Sequence, residues 1–384
     1  MSDRDALLVA ILAEPDDDTP RLVYADWLDE HDEPERAEFI RIQHHLPALS
    51  RRTAEAKRLI LREANLRQKL FKHLDKLPFA EVVIRRGFVE SVTSPLHVFG
   101  EHAAKLRAED APAYELILKP DENDDNQLDG GSSARFELVR SIAECPELRR
   151  CIALDPRQYL NGQAAEILFN SPHLTALRRL TAGGDAGDAF EDLDSRVFAN
   201  LRWLNLHGND DLDHFPPEIK GLVHSKHLAN LEHLDLGSCN LDEECLRAIT
   251  TTKQLKRLRY LDLSSGGFSD ELVKFFHAKN LPALTELDLS DSIGWWERPV
   301  DEVNECIKLL FDSPRIERLT KLALRRNRIT DAGALAIANS PRKLQLTHLD
   351  LWANTISATA KRALEKRLGR GVCNYKQPAD PSRR

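Results

Sequence analysis

The sequence predicts an α/β solenoid, in which short parallel strands alternate with outer helices, preceded by an all-α module at the N-terminus. Three features predict it. Leucine-rich patterns typical of short strands recur through the second half of the chain, each is followed by a segment of helical length, and residues 319–351 contain one complete strand–helix unit and the start of the next. Such a unit cannot bury its apolar face alone, so further copies must stack on either side of it.

The strand pattern is Leu-x-x-Leu-x-Leu, which is the core motif of leucine-rich repeats. Most copies lie 24–30 residues apart, and this spacing resembles the ribonuclease inhibitor-like variety, in which a full helix follows each strand. The predicted fold is therefore a leucine-rich repeat horseshoe. The leading leucines are Leu177, Leu201, Leu231, Leu258, Leu284, Leu319 and Leu346.

A small residue follows the last leucine of the motif by three positions. Asn and Cys are the types that the motif favours there, because a short side chain fits inside the bend and can bond the turn backbone. An apolar residue two positions later is expected to cover the core. The turn residues are Asn209, Cys239, Gly266, Ser292, Asn327 and Asn354, and the covering residues are Leu241, Phe268, Ile329 and Ile356.

Residues 1–80 have apolar positions at helical rather than strand spacing. Ser2 and Asp5 form the pattern of a capping box at the start of the first helix. Thr19 is predicted to be the N-cap of a second helix, with Pro20 at its first position. We expect this segment to be a helical module that covers the first repeat, which would otherwise expose an apolar edge.

Two stretches of this module carry a family resemblance. The sequence Asp-Asp-Asp-Thr-Pro-Arg-Leu-Val-Tyr-Ala-Asp-Trp-Leu-Asp-Glu at 16–30, followed by 34–43, resembles the N-terminal repeat-companion domain of bacterial proteins in which leucine-rich repeats follow. Residues 86–93 resemble the segment that joins this domain to the repeats. The resemblance implies an architecture and no activity, so Asp26 and Trp27 are interpreted as structural residues.

Residues 81–373 are predicted to form the repeat domain, with degenerate repeats over 81–176 and regular repeats, followed by a C-terminal cap, over 177–373. The acidic stretch 121–133 partly matches a calcium-binding loop. However, Asn126 stands where the loop needs Gly for its turn, and Ser132 stands where it needs a bidentate Glu. We therefore expect a solvated loop and no metal site.

The longest interval between repeats contains an insertion with two adjacent tryptophans, Trp295 and Trp296. Insertions in a solenoid form loops. Two interpretations stay open: a lid over the ends of the repeats, or a contact with a ligand. Residues 374–384 are predicted to be a disordered tail.

Composition limits the class of function. The formal net charge is −8, which disfavours nucleic acid as the partner. No apolar run approaches the length of a membrane span, and the N-terminus lacks the pattern of a signal peptide, so we expect a cytoplasmic monomer without membrane contact. The six cysteines show no Cys-x-x-Cys spacing and are expected to be reduced and mostly buried.

Catalytic motifs are missing from the sequence: it contains no phosphate-binding loop, His-Glu-x-x-His, Gly-x-Ser-x-Gly or kinase signature. We therefore expect no enzyme activity and no cofactor. The favoured hypothesis is a protein-interaction scaffold. The alternative is a regulator of a partner enzyme, either an inhibitor or a GTPase activator.

The concave face of the repeats is the predicted binding surface. Because side chains alternate along a strand, the residues between the leucines point outward. Their central column is rich in Asp and is flanked by aromatic residues, which favours a protein partner with a basic surface. The candidate contact residues are Trp203, His233, Asp235, Tyr260, Asp262, Asp288, His348, Asp350 and Trp352, together with Trp295 and Trp296 of the insertion.

Overall fold

The computed structural model describes residues 2–119, 133–156, 162–182, 196–208, 217–268, 270–293 and 298–377. The chain divides into two compact units. The first comprises Met1–Leu160 and Ala164–Leu180, and the second comprises Asn161–Gln163 and Thr181–Arg384. The acidic stretch 121–133, apart from its last residue, and the Trp295–Trp296 insertion lie outside the described residues.

The first unit begins with four helices and continues as strands and helices in alternation. Strands β1 and β2 are antiparallel, whereas β2 to β5 are parallel and pair in chain order. The helices are α1 (Asp3–Ala13), α2 (Thr19–Glu30), α3 (Pro34–His45), α4 (Ala54–Phe71), α5 (Leu96–His102), α6 (Ser133–Ala143) and α7 (Gly162–Phe169), and the strands are β1 (Glu81–Arg85), β2 (Phe88–Pro95), β3 (Tyr114–Lys119), β4 (Cys151–Asp155) and β5 (Arg179–Thr181).

The predicted capping box at the start of α1 is confirmed, since the Ser2 hydroxyl accepts the Asp5 N–H and the Asp5 carboxylate accepts the Ser2 N–H. The prediction for α2 is wrong by one residue. Thr19 is already helical, and the side chain of Asp17 accepts both its N–H and its hydroxyl at 2.8 Å. The Asp17 carboxylate therefore satisfies the backbone N–H of Thr19, and the Thr19 hydroxyl donates to that carboxylate instead of capping the helix.

The N-terminal helices and the start of the sheet share one hydrophobic core. Apolar residues of α1, α2 and α3 pack around Phe88, the first residue of β2. The Phe88 ring lies 5.8 Å from the ring of Tyr24, and both side chains are almost completely buried. These contacts pack the three helices directly against the start of β2.

Buried charges also join the helices to the segment before β3. The guanidinium of Arg36 lies 4.4 Å from the ring centroid of Phe71 and donates to the carbonyl of Glu109. Asp110, which is 2% exposed, accepts from His73 at 2.8 Å and from Arg107 at 2.7 Å, with Arg36 at 3.9 Å. Burial lowers the pKa of Arg36 to about 10, which leaves it cationic at neutral pH.

The hairpin β1–β2 was not predicted. Its turn is Arg86-Gly87, with φ of 50° and 88°, which is the left-handed pair that a tight hairpin needs. A Cβ on Gly87 would also lie 2.3 Å from a side-chain carbon of Ile40, so helix α3 approaches the turn too closely for any larger residue. Strand β4 was missed as well, because its sequence lacks the leucine spacing.

In its described residues, the second unit repeats strand and helix six times, and the last described strand is short. Its strands are parallel, and those whose pairing is described follow chain order. The strands are β6 (Trp203–Asn205), β7 (His233–Asp235), β8 (Tyr260–Asp262), β9 (Glu286–Asp288), β10 (Lys321–Ala323), β11 (His348–Asp350) and β12 (Cys373–Asn374), and the helices are α8 (Pro217–His224), α9 (Glu243–Thr251), α10 (Asp270–His277), α11 (Val300–Asp312), α12 (Asp331–Ala338) and α13 (Ala358–Leu368).

The leucines of the motif form the core as predicted. Each leading leucine from Leu177 to Leu346 is buried, and so are the covering residues of the turns. The strand–helix period and this leucine core define a leucine-rich repeat solenoid, which confirms the predicted fold class.

The turn residues bond across neighbouring repeats. Side chains at the turn position donate to the carbonyl of the last core leucine in the preceding repeat. The pairs are Cys239 to Leu206 at 3.0 Å, Ser292 to Leu263 at 2.7 Å, Asn327 to Leu289 at 2.7 Å and Asn354 to Leu324 at 2.8 Å. The prediction that these short side chains bond the turn backbone is confirmed for these four residues. Gly266 has no side chain to do so, and Asn209 lies outside the described residues.

All six cysteines are free, and five are buried. Burial raises the pKa of Cys145 and Cys151 to about 12, which keeps both as thiols at neutral pH. Among the described residues, none of the helices combines the length and the apolar character that a membrane span requires.

Candidate functional site

The residues between the core leucines of β6–β11 share one face of the sheet, which we call the open face. The strand register aligns them in two rows. The central row is Asn205, Asp235, Asp262, Asp288, Ala323 and Asp350, and the flanking row is Trp203, His233, Tyr260, Glu286, Lys321 and His348. These are the columns that the sequence alternation predicts.

Three rings of the flanking row contact one another across β6, β7 and β8. Trp203 and His233 meet edge to face, with ring centroids 5.1 Å apart, and His233 stacks on Tyr260 at 4.0 Å with an angle of 5° between the planes. All three side chains are half-buried. Burial lowers the pKa of His233 to about 4, so the central ring is neutral at pH 7 and stacks without bringing a charge.

The aspartates of the central row have a structural task that the sequence did not reveal. In Asp235, Asp262, Asp288 and Asp350, one carboxylate oxygen accepts the backbone N–H of the residue two positions later, at 2.8–3.0 Å. This Asx-turn contact ends the strand and starts the bend. Asn205 makes the same bond to His207.

The expectation that these carboxylates are exposed is corrected: Asp235 and Asp288 are half-buried, and the other two are almost completely buried. Asp262 is 7% exposed and Asp350 is 2% exposed. Asp262 also accepts the Tyr260 hydroxyl at 3.0 Å, and Asp350 accepts from Arg325 at 2.9 Å. The backbone contact draws each carboxylate against the turn, and a neighbouring side chain then covers it.

The two ends of the open face differ in charge. At the C-terminal end, cations of β10 and its turn already pair with acids of the neighbouring strands, Lys321 with Glu286 of β9 at 3.0 Å and Arg325 with Asp350 of β11. At β7–β9 the carboxylates of Asp235, Asp262 and Asp288 stand on adjacent strands. The cross-strand cations of the C-terminal end could have been found by aligning the repeats, because Lys321 stands in the flanking row and Arg325 stands two positions after Ala323 of the central row.

The candidate residues therefore fall into separate groups. The structure brings together Trp203, His233, Tyr260 and the aspartates of β7–β9, which we call the aromatic–acidic patch. His348 and Trp352 belong to β11 and its turn. With strands about 4.8 Å apart, three strand spacings separate them from Tyr260. Trp295 and Trp296 lie outside the described residues.

Burial is the main cause that raises the pKa of Asp262 to about 6, and the charges of Asp288 and Asp235 raise it further. The folded protein therefore binds a proton at this carboxyl more readily than the unfolded chain does. The stability gained from that proton is fully present below about pH 4 and is lost as the pH rises through about 6. His233 acts in the opposite direction, because its lowered pKa removes stability as the pH falls from 6.5 to about 4.

Asp262→Asn is therefore expected to stabilise the protein by about 1 kcal/mol at pH 7.5, because it removes a buried charge and keeps polar partners for Ser264 and Tyr260. In this variant the free energy of unfolding should also decrease as the pH is lowered from about 6.5 to about 4. The lowered pKa of His233 causes this loss, and Asp262 is no longer present to offset it. Urea unfolding at several pH values measures both effects. Asp301→Asn, an exposed carboxylate at the start of α11, is the control. An unchanged pH profile in Asp262→Asn would show that this carboxyl titrates normally.

Comparison with known protein families supports the repeat assignment. A family model described as leucine-rich repeat matches residues 227–249 and 319–338. None of the curated proteins is significantly similar in sequence to this chain.

Among the described residues, no group of three His, Cys, Asp or Glu side chains is placed to hold a metal ion.

Several solved structures are similar to this chain. The yeast Rad7–Elc1 complex matches 99% of this chain and 97% of the other chain, with 17% identity and a TM-score of 0.47. A Bacteroides fragilis protein matches over 80% and 81%, with 14% identity and a TM-score of 0.40. The human trophoblast glycoprotein, also called Wnt-activated inhibitory factor 1, matches over 59% and 79%, with 21% identity and a TM-score of 0.36.

Proposed function

We propose that this protein is a non-enzymatic interaction scaffold that binds a basic segment of a partner protein on the aromatic–acidic patch. The observation that carries the proposal is the contact of the Trp203, His233 and Tyr260 rings beside the carboxylates of β7–β9. Rigid, half-buried aromatic rings are the usual energetic anchors of protein interfaces.

The charge of the patch favours a cationic partner. Asp235, Asp262 and Asp288 stand on neighbouring strands, and their mutual repulsion contributes to the raised pKa of Asp262. A bound Lys or Arg side chain would relieve that repulsion. At the C-terminal end of the open face, Lys321 already pairs with Glu286 of β9 and Arg325 with Asp350 of β11, so a cationic partner would relieve less repulsion there.

A displayed library of peptides, selected on the purified protein, tests this function. We expect enrichment of peptides with Lys or Arg next to an apolar residue. Tyr260→Ala should weaken binding of an enriched peptide by about 2 kcal/mol, because it removes the end ring of the row and the hydroxyl that contacts Asp262. Asp288→Lys should weaken it further at low salt, where opposite charges attract most strongly.

Matched control variants distinguish a loss of binding at the aromatic–acidic patch from general effects of a substitution on the protein. Tyr375→Ala removes the same type of side chain from a site beside Lys361 of α13, away from the patch. Asp301→Lys reverses an exposed charge in the first turn of α11. If the enriched peptides are not basic, or if they bind Tyr260→Ala and Asp288→Lys as tightly as the folded controls, the aromatic–acidic patch is not the binding site.

A further inference from the structure

The first unit contains a cavity of about 420 Å³ that is separate from the aromatic–acidic patch. Its floor is formed by residues that alternate along β1, β2 and β3, among them Ser91, Thr93 and Glu115. The turn before α2 and the first turn of that helix contribute Asp16 and Arg21 to the lining. A concave site of this volume is within the range of small-molecule pockets.

Arg21 is the unusual residue of this cavity. Its side chain is only 3% exposed, and one terminal nitrogen donates to the Asp17 carbonyl at 2.9 Å. Its Nε has no hydrogen-bond partner. A buried guanidinium normally has a carboxylate partner, because burying a charge without one is costly. Arg21 has no such ion pair within the described residues. An anionic group of a ligand in the cavity would supply the missing partner of its guanidinium.

The other charges of the lining divide into a paired and an unpaired set. Arg86 is already neutralised by Glu90 and by Asp18. In the part of the chain that the structure describes, no ion pair is formed by the remaining charged residues of the lining, which are Glu115 (half-buried on the floor), Glu81 of the edge strand, Asp16, Arg85 and Arg179. The cavity therefore offers a cation to an anionic group and carboxylates to a cationic group.

We propose that this cavity binds a small molecule that carries both a carboxylate and an ammonium group, namely a free amino acid or a short peptide. The ligand carboxylate pairs with the guanidinium of Arg21, and the ligand ammonium pairs with Glu115. The hydroxyl groups of Ser91, which is in register with Glu115, and of Thr93 are polar groups of the floor that can bond the ligand. A ligand with a single charge would satisfy Arg21 or Glu115 and leave the other charge without a partner.

Calorimetric titration of the full chain tests the proposal. The probes are the standard amino acids and glycylglycine, with acetate, ethylamine and inorganic phosphate as singly functional comparisons. We expect at least one amino acid or the dipeptide to bind, and the three comparison probes to bind at least about tenfold more weakly. Failure of every amino acid and of the dipeptide to bind at millimolar concentration would overturn the proposal, and so would equal binding of phosphate or acetate.

Two variants assign the contacts. Glu115→Gln keeps the size of the side chain and should weaken binding of the amino acid at least about tenfold while leaving acetate binding unchanged. Arg21→Lys should weaken both, because the lysine ammonium cannot form the bidentate pair. Exposed residues with no ion pair among the described residues provide the controls Glu144→Gln and Arg58→Lys. If Arg21→Lys does not fold, Glu115→Gln decides, and wild-type affinity in that variant would contradict the assignment.

Discussion

Asp110→Ala is expected to destabilise the first unit by about 3–5 kcal/mol, the usual result of removing one partner from a buried ion pair. Asp110 is 2% exposed and serves three basic side chains at once, His73, Arg107 and Arg36. Without it, the buried guanidinium of Arg36 keeps the Glu109 carbonyl and the faces of Phe71 and Phe88, but no carboxylate. The uncompensated charge is the main source of the loss.

The measurement is urea unfolding followed by circular dichroism, with Asp75→Ala as the control. Asp75 is an exposed acid in the segment that follows α4 and forms no ion pair among the described residues. Its removal should change stability by less than about 0.5 kcal/mol. A loss below about 1 kcal/mol in Asp110→Ala would mean that water already screens this network.

The second large effect is expected from Asn327→Ala in the repeat turns, with a loss of about 3 kcal/mol or more. Asn327 is completely buried. Its carbonyl oxygen accepts the N–H groups of Ser292 and Ile293 at 3.0 and 2.8 Å, and its amide donates to Leu289. Alanine would leave these three backbone groups buried without partners, and each such group costs about 1–3 kcal/mol.

Asn339→Ala is the matched control, because Asn339 is exposed at the C-terminal end of α12. Unfolding in urea should show a lower midpoint for Asn327→Ala with an unchanged slope, as expected for a loss of stability without a change in compactness. Equal midpoints for the two variants would show that water or a shifted turn replaces the lost bonds. That result would show that the hydrogen bonds of the turn side chains do not determine stability.

The sequence by itself determined the features that depend on short-range pattern. The leucine spacing located β6–β11 and their buried positions, because side chains in a strand alternate with a period of two. The same alternation placed Trp203, His233 and Tyr260 in one column. The turn residue Asn327 was identified because the bend restricts its size and chemistry. Each of these inferences needs only the local pattern of one repeat and its alignment with the next repeats.

Tertiary structure decided everything that depends on neighbours distant in sequence. Asp262 and Asp350 follow the same local pattern as an exposed acid, and only the Tyr260 hydroxyl, the Arg325 guanidinium and the turn backbone bury them. Strand β4 and the hairpin β1–β2 form without the leucine motif, since pairing with adjacent strands supplies their hydrogen bonds. The burial of Arg21 likewise requires the α2 turn to lie against the sheet. Burial and charge pairing are properties of the assembled chain, because the desolvation of a side chain is set by residues that the local sequence does not contain.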